Sequence, residues 1–306
     1  MKKKFELANL SKNLLYCICF SICALNLTAC DDDDKNGTQG NGPAPIGIPS
    51  SVIDGVRATS MSGVDVTYNE DGTIKEAEVD GNTLVFNYAS SRAIKVDPIR
   101  SLISITSSER ESERWIASDF AFNTSGFVTA YKLKYTDTDP DFREEMNIAY
   151  TFNYNADGQM QKISMKVDGK DDEGSYSESG EINYTYNNKV LEKIEAKSKN
   201  ITCSQTYEYT QAIKNTYNAM PLLLLPEALA SDDCVFNVFA ITGYLGNGAN
   251  LPTAMTIKNT DLEDPSENST ERYNLSYTLN ENKAISSYTL SGYGETMTFP
   301  CDWTNF

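Results

Sequence analysis

Asp137, Asp139 and Asp141 present three carboxylates at every second position, a spacing used by calcium-ligating loops. An EF-hand loop also needs Gly at position six and Glu at position twelve, where Phe142 and Ile148 stand instead. The three Asp are therefore candidate metal ligands whose other reading is a solvated acidic loop. Asp168-Gly169-Lys170-Asp171-Asp172-Glu173-Gly174 carries similar groups in the wrong register and reads as a hairpin tip. The chain has no His, which excludes Ser-His-Asp and Cys-His catalysis, His-ligated zinc or haem, and imidazole acid/base chemistry. Glycoside hydrolysis would need two carboxylates roughly 5 to 10 Å apart across a cleft. With 43 Asp and Glu, some pair meets that by chance, so abundance assigns nothing. No Gly-x-Ser-x-Gly elbow occurs, so no catalytic residue and no cofactor is assigned and the chain reads as a non-enzyme. Trp115, Trp303 and the 18 Tyr could stack on sugar rings, although most Tyr fall at positions that read as core.

The charge narrows the partners. Lys and Arg number 26 against 43 acids, a net −17, and such a surface repels nucleic acid. Lys2, Lys3, Lys4 and Lys12 precede an apolar stretch from Leu14 to Leu27 that is too short to span a bilayer and reads as a secretory signal. It ends in Leu27-Thr28-Ala29-Cys30, which resembles the lipobox of bacterial lipoproteins and implies diacylglycerol on Cys30 as the new N-terminus. Asp31, Asp32, Asp33 and Asp34 follow, and resemble the acidic export signal of surface lipoproteins of Bacteroidetes. The resemblance implies a lipid-anchored protein on the outer membrane, facing the cell exterior. Loss of residues 1–29, with four Lys and one Glu, leaves 277 residues with charge −20. Beyond the lipid site only Cys203, Cys234 and Cys301 remain, which reads as buried thiols or as one bridge with a spare thiol.

These groups must be positioned by a chain of three parts. Residues 1–29 are the signal peptide. Residues 30–51 hold the lipidated Cys, the acidic run and a Gly/Pro-rich linker. Residues 52–306 form the folded domain, where the dominant period is two. Met146, Ile148, Tyr150, Phe152 and Tyr154 alternate with polar residues, as do Tyr273, Leu275, Tyr277 and Leu279, and such segments are half-buried antiparallel strands. The same period puts Glu192 on one face with Val190, Ile194 and Ala196, where contact with lipid would be costly.

Turns recur between the strands. Tyr68-Asn69-Glu70-Asp71-Gly72-Thr73-Ile74 and Tyr154-Asn155-Ala156-Asp157-Gly158-Gln159-Met160 share one pattern in which Gly supplies positive φ and Asn bonds back to the backbone. Looser copies follow Phe122 and Tyr186, and a degraded one lies at Asn280-Glu281-Asn282-Lys283. Phe122, Tyr154, Tyr186 and Tyr217 are spaced by 32, 32 and 31 residues, the length of two strands and two turns. Longer polar loops are expected at the opposite end, over 136–145, 168–178 and 262–270, and loops are where ligands are commonly met. Residues 221–231, marked by Pro221 and Pro226, read as a short apolar helix starting near Pro226 that covers an open end or the apolar face of the curved sheet.

The Tyr-Asn-x-Asp-Gly turns are similar to those of YD-type β-hairpin repeats. With the lipobox, the acidic tether and a meander interrupted by an apolar helix, the chain resembles Bacteroidetes lipoproteins carrying a porin-like domain of unknown function. With the alternation, that resemblance implies an all-β up-and-down meander, a strongly curved sheet or porin-like barrel; the N-terminal anchor and the charge of Glu192 on an alternating face read as soluble rather than inserted in the membrane. It carries no activity with it. The reading is a binding module for glycan, peptide or an envelope protein; the alternatives are a polymer hydrolase using paired carboxylates and a purely structural envelope component.

Overall fold

Turns opened by Asn set the rhythm of the strands. The structure, a computed structural model, describes residues 56–305 except 71, 80, 90–101, 108–112, 140–141, 173, 198–200, 212, 216, 218–233, 246–249 and 263. At Asn69, Asn123, Asn155 and Asn280 the Asn N–H donates to the carbonyl four residues on at 2.8–2.9 Å. Its own carbonyl accepts the N–H three residues on at 2.9–3.1 Å. The donor of that second bond has a left-handed backbone: Gly72, Gly126, Gly158 and, in the last case, Lys283 at φ 64°. The turn after Phe122 and the one at Asn280 are thus full copies, and the second differs only in bearing a Cβ at the position where Gly fits without strain. The turn after Tyr186 is of another kind, two residues long, with Asn188 and Lys189 both at positive φ as a type I′ hairpin requires.

Between the turns run β1 (Val56–Met61), β2 (Val64–Tyr68), β3 (Ile74–Val79), β4 (Asn82–Tyr88), β5 (Leu102–Ser107) and β6 (Glu113–Phe122). The longest strands follow: β7 (Val128–Asp139), β8 (Phe142–Tyr154), β9 (Met160–Lys170) and β10 (Ser175–Asn187). Then come β11 (Val190–Lys197), β12 (Ile201–Glu208), a helix α1 (Cys234–Ile241), β13 (Ala254–Asp261), β14 (Ser269–Leu279), β15 (Ile285–Gly292) and β16 (Glu295–Asn305). Each strand pairs antiparallel with the next, and β1 closes on β16 through Val56↔Asn305 and Met61↔Cys301. The fold is an all-β, up-and-down closed barrel with one short described helix.

The alternation resolves into an apolar inside and a polar outside. On β8, Ile148, Tyr150 and Phe152 are buried while Asn147, Ala149, Thr151 and Asn153 are exposed. Outward side chains pair by charge: Lys132 with Asp119 at 2.7 Å, Lys134 with Glu145 at 2.5 Å and Lys162 with Glu181 at 2.5 Å. This is the inverse of a lipid-facing barrel, whose outer band is apolar. Glu192 also points outward, because a bulge between Thr185 and Tyr186 lets Leu191 take the inward place beside Ile194.

Sixteen strands in a regular barrel leave an aqueous bore. Here most inward side chains form one large buried cluster, joined by α1, whose Val235, Phe236, Val238, Phe239, Ala240 and Ile241 are all buried. Phe236 lies 6.0 Å from Phe152, and Phe239 lies 6.0 Å from Phe120 and 6.1 Å from Tyr131. A Schellman motif ends the helix: Gly243, at φ 80°, donates to Ala240, Tyr244 donates to Phe239, and the Tyr244 ring sits against Phe239 at 6.2 Å. The Tyr244 carbonyl then accepts from Val128 of β7 and fixes the helix to the wall. The apolar helix expected over 221–231 lies outside the described residues.

Two expectations are corrected. Within the spans 136–145 and 168–178, residues 136–139, 142–145, 168–170 and 175–178 are the ends of long strands rather than loops; outward charges such as Glu145 pair across the ladder with Lys134, while Asp137 and Glu144 face inward. Only 262–270 keeps loop character, around a 3-10 turn at Pro265–Glu267 capped by Asp264. Tyr217 is not a fourth strand-ending aromatic: it packs against Trp303 between β12 and β13, and its hydroxyl donates to Asn282.

Candidate functional site

The inward series stay apolar from the Asn-turn end to the barrel middle and become polar at the other end. On β8 the order is Phe152, Tyr150, Ile148, Met146, then Glu144; on β14 it is Leu275, Tyr273, then Glu271. On β7, Tyr131 and Leu133 give way to Asp137, and on β13, Met255 and Ile257 give way to Asn259 and Asp261. The barrel therefore has an acidic mouth above an apolar floor. Within it the Asn259 Oδ1 is buried with no hydrogen-bond partner among the described residues.

One arrangement is built twice at this mouth. A Cβ on Gly169 of β9 would fall 2.1 Å from Tyr176 Cζ, so only Gly lets the ring lie across the strand. The Tyr176 hydroxyl donates to Glu144 at 2.5 Å. Burial, then this bond to a carboxylate, pushes the phenol well above its usual range. A Cβ on Gly292 of β15 would likewise fall 2.7 Å from Tyr273 Cδ1, and the Tyr273 hydroxyl donates to Glu271 at 2.5 Å.

The two places differ in what surrounds the ring. Beside Tyr176 the surface is shallow and mixed in charge. The side-chain bonds of Lys134 to Glu145, and of Lys166 and Ser177 to Asp168, hold those carboxyls below their ordinary range. Beside Tyr273 there is a cavity of about 270 Å³ lined by Glu271, Tyr273, Leu290, Gly292, Tyr293, Glu295 and Met297. Tyr293 lies 6.0 Å from Tyr273, ring to ring, and is 70% exposed. This site offers an aromatic wall, a short apolar floor and two carboxylates, with no Lys or Arg among its described lining residues.

The residues named from sequence fall elsewhere. Cys30 and Asp31, Asp32, Asp33 and Asp34 lie outside the described residues, as does Asp141. Asp137 lies on the inner face of β7, and Asp139 ends that strand. Among the described residues no group of three or more Cys, Asp and Glu could hold a metal ion. Cys203 and Cys301 are buried and Cys234 is half-buried, and no disulfide joins them. Trp115 is taken up by Tyr135 at 4.4 Å, and Trp303 donates its indole N–H to Ile285 at 2.8 Å, so both serve the wall. Sequence reasoning passed over Tyr293. Its signal was Gly292-Tyr293-Gly294-Glu295, a two-residue hairpin turn with an aromatic where Asn or Gly is usual.

No family model matches the sequence, and no curated protein matches it. Among solved structures the chain is similar to a porin-like protein from Bacteroides vulgatus ATCC 8482, at 13% identity and TM-score 0.48, over 82% of this chain and 97% of that one. A porin-like protein from Bacteroides uniformis ATCC 8492 is similar at 17% identity and TM-score 0.47, over 82% and 94%.

Proposed function

We propose that this chain is a lipid-anchored protein of the outer-membrane surface whose barrel is a non-enzymatic binding module, taking its ligand at the acidic mouth. The observation that carries the binding function is the lined cavity beside Tyr273, where an apolar ring face, Leu290 and Met297 meet the carboxylates of Glu271 and Glu295. Hydrogen-bond acceptors next to apolar surface are what a polar ligand with an apolar face requires. The address rests on Leu27-Thr28-Ala29-Cys30 and the four Asp after it.

The test is a binding screen of residues 52–306 against glycans, peptides and envelope proteins, repeated with Glu271→Gln. The expected result is a ligand whose affinity drops at least several-fold in the variant. A polymer that is cleaved, with release of new ends, would replace this reading by the hydrolase; the absence of any ligand would leave the structural envelope component in its place.

A further inference from the structure

We propose that Tyr293 is a stacking platform for one pyranose ring bearing no negative charge, held at the cavity beside Tyr273. The inference rests on the reading of the mouth as the ligand-binding end and names the ligand class.

Tyr293 and Gly294 form the two-residue turn between β15 and β16, with φ 53° and 83°. A turn with both central residues left-handed selects Asn-Gly or Gly-Gly, and a side chain with a bulky Cβ substituent there costs about 1–2 kcal/mol. Burial does not offset that cost, since the ring is 70% exposed. Its position is nonetheless fixed, because the hydroxyl donates to the Thr270 carbonyl at 2.7 Å. A strained, exposed and anchored aromatic adds nothing to the barrel's core, which points to a use outside it.

The geometry selects how a ligand sits. The rings of Tyr273 and Tyr293 are 6.0 Å apart and inclined at 56°. A ring sandwiched between two others needs two van der Waals contacts, about 7–8 Å in all. The ligand therefore lies on the outer face of Tyr293 and reaches into the cavity with its polar edge. A saturated sugar ring has the required C–H face, and its hydroxyls donate to Glu271 and Glu295. The cavity, about 270 Å³, is smaller than the 300–1,000 Å³ typical of drug-sized ligands, so it admits the polar edge of one ring and leaves the rest of a chain in solvent. With carboxylates and no Lys or Arg among its described lining residues, it rejects uronates and sugar phosphates.

The test uses the full-length protein in a detergent without a sugar headgroup, titrated calorimetrically with cellohexaose, mannohexaose, a chitosan hexamer and hexagalacturonate. At least one of the first three is expected to bind, with hexagalacturonate at least ten-fold weaker. Tyr293→Asn suits the turn, so it is expected to raise the unfolding midpoint while weakening the sugar at least ten-fold; Tyr293→Trp is expected to retain binding. Failure of all three oligosaccharides, equal binding of the galacturonate, or a loss below ten-fold in Tyr293→Asn each overturns the inference. Should a peptide or envelope protein bind at the mouth while the sugars do not, this inference falls and the broader reading of the mouth stands.

Discussion

The buried side chain of Gln159 donates from Nε2 to the backbone carbonyl of Lys189 at 2.7 Å, joining two hairpin turns at one end of the barrel. The same turns are joined on the outside by Lys189 and Asp157, also at 2.7 Å. The two links differ in worth. Replacing Gln159 leaves the Lys189 carbonyl without its donor, at a cost of about 1–3 kcal/mol. The ion pair is solvent-screened, with Lys189 64% exposed, and is worth at most about 1 kcal/mol. Urea unfolding should therefore show Gln159→Leu well below the parent in stability and Asp157→Ala close to it. Equal losses would mean that the buried bond is not what couples the repeats.

Gly169 and Tyr176 give a second prediction. Gly169→Ala would set a methyl group into the ring that crosses the strand, and overpacking of this kind costs about 1–3 kcal/mol. Tyr176→Ala removes the ring, so Gly169→Ala in that background should cost less than half as much. A double-mutant cycle in thermal or urea unfolding measures the coupling. Additive losses would show that the Gly answers to something other than Tyr176.

How much of this was legible in the sequence depends on where the deciding interaction lies. Strand alternation around Tyr150 and Tyr273 was readable because one face meets water and the other the core. The Asn-Gly turns were readable because φ and the Asn side chain are local. Closure of β1 on β16 was not, since it rests on pairing across nearly the whole domain. The helix at Cys234–Ile241 was hidden because Val, Phe and Ile are poor local helix formers, and its burial inside the barrel decides its form. The acidic spans at 136–145 and 168–178 resemble loops in sequence because the pairing that makes their ends strands, as between Lys134 and Glu145, joins neighbouring strands and is not local. The cavity was invisible for the same reason as the closure: Glu271, Tyr293 and Met297 meet only when three strands are in register.

Phe239 tests the helix as interior filling. It is fully buried and touches aromatic rings of β6, β7 and the helix's own exit turn. Phe239→Ala should cost about 3–5 kcal/mol, and Phe239→Leu considerably less. Both are read by thermal unfolding. A near-neutral Phe239→Ala would mean that the helix is peripheral to stability.

Alkaline pH should weaken the fold through Cys301. Burial, and secondarily the Asp302 carboxylate, push its thiol up to about 12. An unfolded thiol ionises near pH 8.5, so above that point the unfolded chain holds fewer protons than the native one and stability falls with rising pH, until the native thiol also ionises. Cys301→Ala should flatten the decline between about pH 8.5 and 12 relative to the parent. Native Cys301 should also resist alkylation at pH 8 and become reactive in urea, as peptide mass spectrometry would reveal. Rapid labelling of the native protein would contradict a buried, protonated thiol.

The outer face makes a last prediction about what holds the protein at a membrane. Lys132, Lys134, Glu145, Lys162 and Glu181 project outward from β7 to β10, the middle of the longest wall. A Lys facing lipid near the bilayer midplane costs about 2–4 kcal/mol, so a band of such residues opposes insertion. On the proposed anchoring, attachment depends on a lipid at Cys30, and Cys30→Ser removes the Sγ that would carry it. Cys30→Ser should move the protein from the membrane to the aqueous fraction. There it should remain monodisperse without detergent and keep a β-rich circular dichroism spectrum. The proposed surface address, read from Asp31 to Asp34, predicts that the parent protein is lost from intact cells on protease treatment. Retention of Cys30→Ser in the membrane would mean that the barrel wall, not the lipid, makes the contact.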